Sequence, residues 1–352
     1  MGRYTVDVSI QELKPGMEIS KDVIKNNAVL LKEGIIVTEE TIDKLRNIFF
    51  LDKIQIYASD EAVHKNKKEA EIKKVKETFN EVSTELKDLF VKMELSKKNN
   101  IEDLRKFAEK IQIQFSSSEL VLSTVIFEGS GDDCIYRHGV NVAALSALLG
   151  KWIGLEQSNI NLLVYSALLH DFGITKLQER FQKRPDIFTD KIYHEVCQHT
   201  KIAYKYVDEI PYLDKSVTYG VLMHHERCDG SGYPFGIQSE KIHPFAKIIA
   251  IADELDALNS DKELKRTKGT LKVLQEIKEK SLNKLDYEYS MIFLRHICNF
   301  YIGEEVFLSN GENAKILQID INDLENPLLL KEDEFIDLKK NKDIFVKELV
   351  IK

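Results

Sequence analysis

The spacing of hydrophobic residues changes along the chain and separates regions of different structure. In the first 60 residues apolar and polar positions alternate, most clearly over Tyr4, Val6, Val8 and Ile10. A period of two is typical of half-buried strands. We therefore predict a small α/β module over residues 1–60, with strands at 4–10, 28–31, 35–37 and 54–57 and a helix that begins after Thr38.

Residues 61–110 are rich in lysine and glutamate and contain neither proline nor glycine. Apolar residues recur at helical spacing, which predicts an amphipathic helix with a solvated face. The alternative is a helix that relays a signal or pairs with a second copy to form a homodimer, because the run is long enough to pack against that copy. The apolar positions are Ile72, Val75, Phe79, Val82, Leu86 and Leu89.

The pattern predicts helices over most of residues 111–302 and strands after Gly303. The runs 140–149 and 162–169 are dense enough in apolar residues to be buried helices. In the last region, 303–352, a strand at 305–308 and another at 314–321 flank Asn310-Gly311, which favours a type I′ hairpin turn. The chain is therefore predicted to be mainly α, with a small N-terminal α/β module and a short C-terminal β-hairpin region.

Composition limits the classes of function. The chain has 352 residues, of which 43% are hydrophobic and 31% charged, so it can form a sizeable core. A net charge of −8 argues against binding a nucleic acid polymer, since phosphate affinity depends on surplus lysine and arginine. No apolar run is long enough to span a membrane, and the start lacks the pattern of a signal peptide. With four scattered cysteines, these features predict a cytoplasmic protein.

Histidine and aspartate carry the strongest chemical signal. Six of the nine histidines fall between positions 138 and 225, and five of them belong to a candidate set in which two of the groups are adjacent pairs. Neutral imidazoles and carboxylates are ligands that Mn²⁺, Fe²⁺ and Zn²⁺ accept. The set predicts a metal site and a hydrolytic reaction; it comprises His138, His170–Asp171, His199, His224–His225 and Asp253.

Two of these groups lie at predicted helix ends. His170–Asp171 follows the apolar run LLVYSALL, where the alternative is a buried aspartate that only caps the helix. The stretch His224–Pro234, HHERCDGSGYP, is more specific, because two adjacent imidazoles at a helix end can point to different ions. Its glycines let the main chain turn sharply beside them.

These motifs resemble the HD-GYP subfamily of HD-domain metal phosphohydrolases. The resemblance rests on HDFG at 170–173, HHERCDGSGYP at 224–234 and IADELDALNSD at 251–261, and it covers roughly residues 120–300. It implies a helical HD-type metallohydrolase domain over 111–302 that hydrolyses cyclic di-GMP to pGpG or GMP. It also implies two divalent metal ions, iron or manganese, and attack by a metal-bridged hydroxide.

The resemblance implies roles for particular residues. Asp171 would be the carboxylate that bridges the two ions. Lys262 and Lys265 match family positions that contact the phosphates of the substrate, and Arg184, before Pro185, is a further candidate. The implied metal ligands are His138, His170, Asp171, His199, His224, His225 and Asp253.

The chain departs from the family pattern at two positions. Ile174 stands where the HDxGK motif has lysine, and Lys176 is the nearest lysine that can take its catalytic place. Cys134 stands where some relatives have a glutamate that holds a third metal, so we expect a binuclear site and a buried apolar cysteine. Two alternatives remain open: a catalytically weak receptor for cyclic di-GMP, and a phosphodiesterase for another cyclic nucleotide, such as a cyclic GMP–AMP dinucleotide.

Overall fold

The computed structural model describes residues 5–9, 13–25, 28–46, 53–57, 60–95, 100–114, 118–130, 135–177, 190–260, 269–332 and 334–350. The chain divides into two compact units, residues 1–71 with 352 and residues 72–351. The boundaries at 60, 110 and 302 stay predictions. No helix within the described ranges is long and apolar enough to cross a membrane.

The first unit contains the predicted small α/β module. Strands β1, β5 and β2 form an antiparallel sheet, and β3 pairs with β4. Ile19, Ile42, Leu45, Ile54 and Ile56 supply its core. The elements are β1 (Thr5–Ser9), β2 (Glu18–Ile19), β3 (Val23–Lys25), β4 (Ala28–Leu31), α1 (Glu39–Arg46) and β5 (Lys53–Tyr57).

The strand predicted at 35–37 is wrong. Ile36 forms an isolated antiparallel bridge with Glu18, and the main chain on either side of it hydrogen-bonds to Met17 and Ile19 without forming a strand. Gly34, at a φ of 82°, turns the chain just before Ile35, and the short apolar stretch that follows pairs with residues 17–19 through this single bridge.

The lysine- and glutamate-rich region forms two helices instead of one, α2 (Asp60–Leu95) and α3 (Asn100–Gln114). The apolar side chains that predicted a helix are buried within the protomer, from Val75 to Leu89. Glu102 and Asp103 lie in the first turn of α3, where acidic side chains favour a helix start.

The helical domain is built around α5, which is buried from Gly139 to Gly150 and packs chiefly against α6 and α10. A helix that is apolar on all sides is typical of such a central position. The helices are α4 (Ser118–Glu128), α5 (Ile135–Trp152), α6 (Gln157–Leu169), α7 (Asp190–Val196), α8 (His199–Asp208), α9 (Lys215–Met223), α10 (Pro244–Ser260), α11 (Thr270–Ser281) and α12 (Tyr287–Tyr301).

The C-terminal region is larger than the predicted short hairpin. The hairpin of β6 and β7 is present, but the sheet has the antiparallel order β10-β6-β7-β8-β9 among the described residues. Pro327 and charged residues interrupt the apolar pattern of β8. The strands are β6 (Glu305–Leu308), β7 (Asn313–Asp320), β8 (Asp323–Lys331), β9 (Glu334–Asp337) and β10 (Val346–Leu349).

The predicted type I′ turn is also wrong, because that turn requires a positive φ at both central residues. Of the two, only Gly311 has one, at 88°. The Asn310 side-chain oxygen accepts a hydrogen bond from the Glu312 amide at 3.1 Å. This Asx-type bond favours a longer loop.

Candidate metal centre

The ends of three helices and the interiors of two others place the seven predicted ligands together. His170 and Asp171 follow the last turn of α6, and His224 and His225 follow α9. His199 is the first residue of α8. His138 lies on α5, and Asp253 lies on α10.

Three of the histidines are oriented by the same local hydrogen bond. Nδ1 of His170 lies 2.6 Å from the carbonyl oxygen of Ala167, three residues earlier. Nδ1 of His199 and of His224 makes the equivalent contact at 2.7 Å. Because a carbonyl oxygen only accepts, each Nδ1 carries the proton, and the Nε2 lone pair of the neutral ring is free for a ligand.

The carboxylate of Asp171 lies between two pairs of histidines. Its Oδ1 is 3.3 Å from Nε2 of His199 and 3.8 Å from Nε2 of His224. Its Oδ2 is 3.7 Å from Nε2 of His138 and 3.5 Å from Nε2 of His170. The two oxygens therefore face different imidazole pairs.

Asp253 makes a second link across the cluster. Its Oδ1 is 3.2 Å from Nε2 of His138, and its Oδ2 is 3.9 Å from Nδ1 of His225. The ring of Tyr233 lies beside that of His225, with centroids 4.7 Å apart. The side chain of Tyr233 thus covers one edge of the cluster.

Burial keeps most of these imidazoles neutral. It lowers the pKa of His224 to about 3, helped by His170 and His199. Burial likewise lowers the pKa of His199 and, more strongly, that of His225. Neutral rings are the form that binds a metal.

The two carboxylates stay ionised for the opposite reason. Burial acts to raise the pKa of Asp171, but the surrounding histidines, His170 first, hold it below its usual value. For Asp253, burial is outweighed by the contact with His138, and its pKa falls well below the usual value. The same contact, together with Asp256, outweighs burial at His138 and raises its pKa.

Two observations test whether these residues fit a metal ion. Nε2 of His170 is buried and has no hydrogen-bond partner among the described residues. Nε2 of His199 lies 3.3 Å from Nε2 of His224, so two lone pairs face each other when both Nδ1 atoms carry the protons. A cation relieves both situations. The candidate groups are Asp171 with His199, His224 and His225, and Asp171 with His138 and His170.

Residues 121–288 match the HD domain family. This segment is an HD domain. It carries the HD-GYP signature in the loop 224–234, and HD domains are metal-dependent. In fold, the chain is similar to Bd1817, an HDG"Y"P protein from Bdellovibrio bacteriovorus. That structure has a TM-score of 0.52 and 18% identity, and the match covers 84% of this chain and 99% of the other.

Related sequences match about half of the chain. A cyclic di-GMP phosphodiesterase of Thermotoga maritima is 30% identical over 46% of this chain and 44% of its own length. One from Pseudomonas aeruginosa is 26% identical over 54% and 45%. A 3'3'-cGAMP-specific phosphodiesterase of Vibrio cholerae is 26% identical over 55% and 45%. The chain thus spans about half the length of these relatives.

Glu226, in the signature loop of the HD domain, is a residue that the sequence analysis did not single out. It is 3% exposed, and its carboxylate accepts hydrogen bonds from the main-chain amides of Phe235 at 2.7 Å and Ile237 at 3.1 Å. It thereby holds the loop against the cluster. Its position directly after His225 was the available signal.

Asp256 was missed in the same way. Its Oδ2 lies 2.8 Å from Nδ1 of His138, and its side chain is fully buried. It lies three residues after Asp253 on α10, and this spacing places both carboxylates on one face of the helix.

The structure shows where Lys176, the second predicted catalytic residue, lies. Lys176 forms an ion pair with Glu94, and its ammonium group lies over the rings of Phe172 and Tyr206. Its catalytic role stays a prediction, and it requires this ion pair to open. Arg184, Lys262, Lys265 and Cys134 lie outside the described residues.

Proposed function

We propose that this protein hydrolyses the phosphodiester bond of cyclic di-GMP, to pGpG, GMP or both. The observation that carries this proposal is the position of Asp171, whose two oxygens face separate pairs of imidazole Nε2 atoms. That arrangement supports two divalent ions with Asp171 as the bridging ligand. The matches to the cyclic di-GMP phosphodiesterases of Pseudomonas aeruginosa and Thermotoga maritima support the substrate.

The donor set supports iron or manganese as the ions. The cluster offers imidazoles and carboxylates and no thiolate among the described residues, a combination that suits mid-row divalent metals. Such ions lower the pKa of bound water and neutralise phosphate charge. His138, His170, Asp171, His199, His224, His225 and Asp253 would hold them.

The protein residues would act mainly through position. The Nδ1 contacts of His170, His199 and His224 hold each ring before an ion arrives. Such prior orientation reduces the cost of binding and of reaction. We propose that Arg184, Lys262 and Lys265 contact the phosphates, and that Lys176 joins them once it leaves Glu94.

The direct test compares wild type with Asp171→Asn and, as a matched control, Asp320→Asn in the C-terminal sheet. Each protein is loaded with Mn²⁺ or Fe²⁺ without oxygen, incubated with cyclic di-GMP and analysed by chromatography. We expect wild type and Asp320→Asn to form pGpG or GMP, and Asp171→Asn to lose at least about a hundredfold in rate. Intact cyclic di-GMP after incubation with metal-loaded wild type would refute the proposal.

A second candidate is hydrolysis of a cyclic GMP–AMP dinucleotide. It is favoured by the match to the 3'3'-cGAMP-specific phosphodiesterase of Vibrio cholerae, at an identity equal to that of the Pseudomonas relative. The same assay with both dinucleotides side by side decides between them through the ratio of kcat/KM values.

A third candidate is a receptor with little turnover. Ile174 cannot donate a hydrogen bond to a phosphate, and Lys176 is engaged by Glu94. Calorimetric binding of cyclic di-GMP without product formation would favour this role, whereas measured turnover would exclude it.

We also propose that the protein acts in the cytoplasm and forms a homodimer through residues 61–110. The apolar side of α2 is buried within the protomer, so this dimer would use the charged side of the helix. Light scattering at increasing salt measures it: a dimer held by charge dissociates as salt rises, and a monomer at all concentrations would contradict it.

A further inference from the structure

A buried chain of polar side chains leads from Asp256 away from the metal centre. Asp256 Oδ1 accepts a hydrogen bond from the Asn141 amide at 2.7 Å. The Asn141 side-chain oxygen accepts one from Arg137 Nε at 3.1 Å. Arg137 and Asn141 are four residues apart on α5, so both lie on one face of that helix. Asn141 and Asp256 are fully buried, and Arg137 is 8% exposed.

The chain of contacts ends on α2. Arg137 Nη1 donates a hydrogen bond to the side-chain oxygen of Asn80 at 2.7 Å. The Arg137 guanidinium also lies 4.7 Å from the ring centre of Phe79, the neighbouring residue on α2. Asn80 is exposed. A continuous polar path therefore connects a surface residue of α2 with His138.

The chemistry of this path selects one form of His138. Asp256 Oδ2 accepts from Nδ1–H of His138 at 2.8 Å, so Nε2 is the nitrogen that would give up its proton and offer a lone pair to an ion. A carboxylate in this position fixes the tautomer and the ring orientation of a metal-ligating histidine and increases its basicity. The Asn141 amide occupies the other oxygen of Asp256, so the carboxylate has little freedom to rotate.

We propose that Asn80, Arg137, Asn141 and Asp256 form a positioning relay that sets the orientation of His138 as a metal ligand. The position of α2 thereby controls the affinity of the centre for its ion, although none of the seven predicted ligands lies on α2. This inference rests on the metal centre of the proposed function. It adds that a surface residue of α2, Asn80, influences the affinity of that centre for its ion.

The test measures Mn²⁺ affinity by competition with a chelating dye in Asp256→Asn, Asn80→Ala and the control Glu85→Gln. Glu85 lies on the same helix but pairs with Lys110 of α3. We expect Asp256→Asn to lose about ten- to a hundredfold in affinity. Asn80→Ala should lose about two- to tenfold, the value of one hydrogen bond. Glu85→Gln should match wild type.

Thermal unfolding of the metal-free proteins separates positioning from folding. If Asp256→Asn does not fold, Asn80→Ala decides the question, because its side chain is exposed. Wild-type affinity in Asn80→Ala, or in folded Asp256→Asn, would overturn the relay. A wild type that binds Mn²⁺ but cleaves no cyclic dinucleotide would refute the proposed function. The Mn²⁺ affinities of the variants would still decide whether the relay exists.

Discussion

The replacement Gly173→Ala tests whether the metal centre depends on one close backbone contact. Gly173 lies in the 3₁₀ turn Phe172–Lys176, which packs against α8. A Cβ atom on Gly173 would lie 2.0 Å from the carbonyl oxygen of His199 and 2.9 Å from the amide nitrogen of Ala203. Both belong to the main chain, so no side-chain rotation relieves the overlap.

The size of the effect follows from these distances. Ordinary contact begins near 3.4 Å, so the turn and α8 would have to separate by about 1 Å or more. Overpacking of this kind costs about 1–3 kcal/mol of unfolding free energy. The same shift moves His199 away from Asp171; the distance between His199 Nε2 and Asp171 Oδ1 is 3.3 Å in the wild-type structure. Ligand distances tolerate only about 0.2 Å of error, so metal affinity should fall by about tenfold or more.

Urea unfolding of metal-free protein measures the stability loss, and elemental analysis after Mn²⁺ loading measures the metal content. The matched control is Gly150→Ala, in the interior of α5, where the new Cβ meets only side-chain atoms, the nearest being Leu163 Cδ2 at 3.1 Å. We expect it to load metal like wild type. If Gly173→Ala also loads metal fully and unfolds within about 0.5 kcal/mol of wild type, the contact does not position His199 as argued.

Three further predictions concern other parts of the centre. Glu226→Gln should lower the free energy of unfolding by about 1.5–3 kcal/mol, since the charged acceptor of the Phe235 and Ile237 amides is lost; unchanged urea unfolding would contradict this. In metal-free protein the pKa of His224 is lowered to about 3. The contribution of the neutral His224 ring to stability is therefore complete above about pH 6.5, the pKa in the unfolded chain, and is lost as the pH falls from there towards the folded-state pKa. Wild type should therefore lose stability more steeply than His224→Gln in this range, and equal slopes would refute the assignment. Ile174→Lys should raise kcat/KM on cyclic di-GMP by about tenfold, through one charge-assisted hydrogen bond to phosphate; an unchanged rate would show that this position does not reach the substrate.

Helix prediction succeeded where apolar residues were dense. The run at 140–149 is buried in α5, and the run at 162–169 is buried in α6 from Leu163 onward, because a helix that is apolar on all sides has no stable place except the interior. The hairpin of β6 and β7 was found for a similar reason: its apolar positions alternate clearly around Asn310-Gly311.

The errors in predicting secondary structure fall where the alternation of apolar residues is weak or where a single side chain determines the turn type. The hydrogen bond from the Glu312 amide to the Asn310 side chain changed the predicted turn type. Strands β8 and β10 were missed because charged residues and Pro327 obscure their alternation. Strands β8 and β10 are held in the sheet by the strands beside them and by α11, which packs on both β8 and β10. The local sequence pattern does not indicate such contacts.

The amino-acid sequence by itself predicted which side chains would carry the chemistry, since ligand character belongs to the residue type and the signature motifs are local. Histidines and aspartates at the ends of apolar helices were enough to predict a metal centre. Only the tertiary structure decided that the oxygens of Asp171 face different imidazole pairs, that Asp256 orients His138, and that Lys176 pairs with Glu94. These facts depend on distances between helices far apart in the chain, and packing of the whole domain sets those distances.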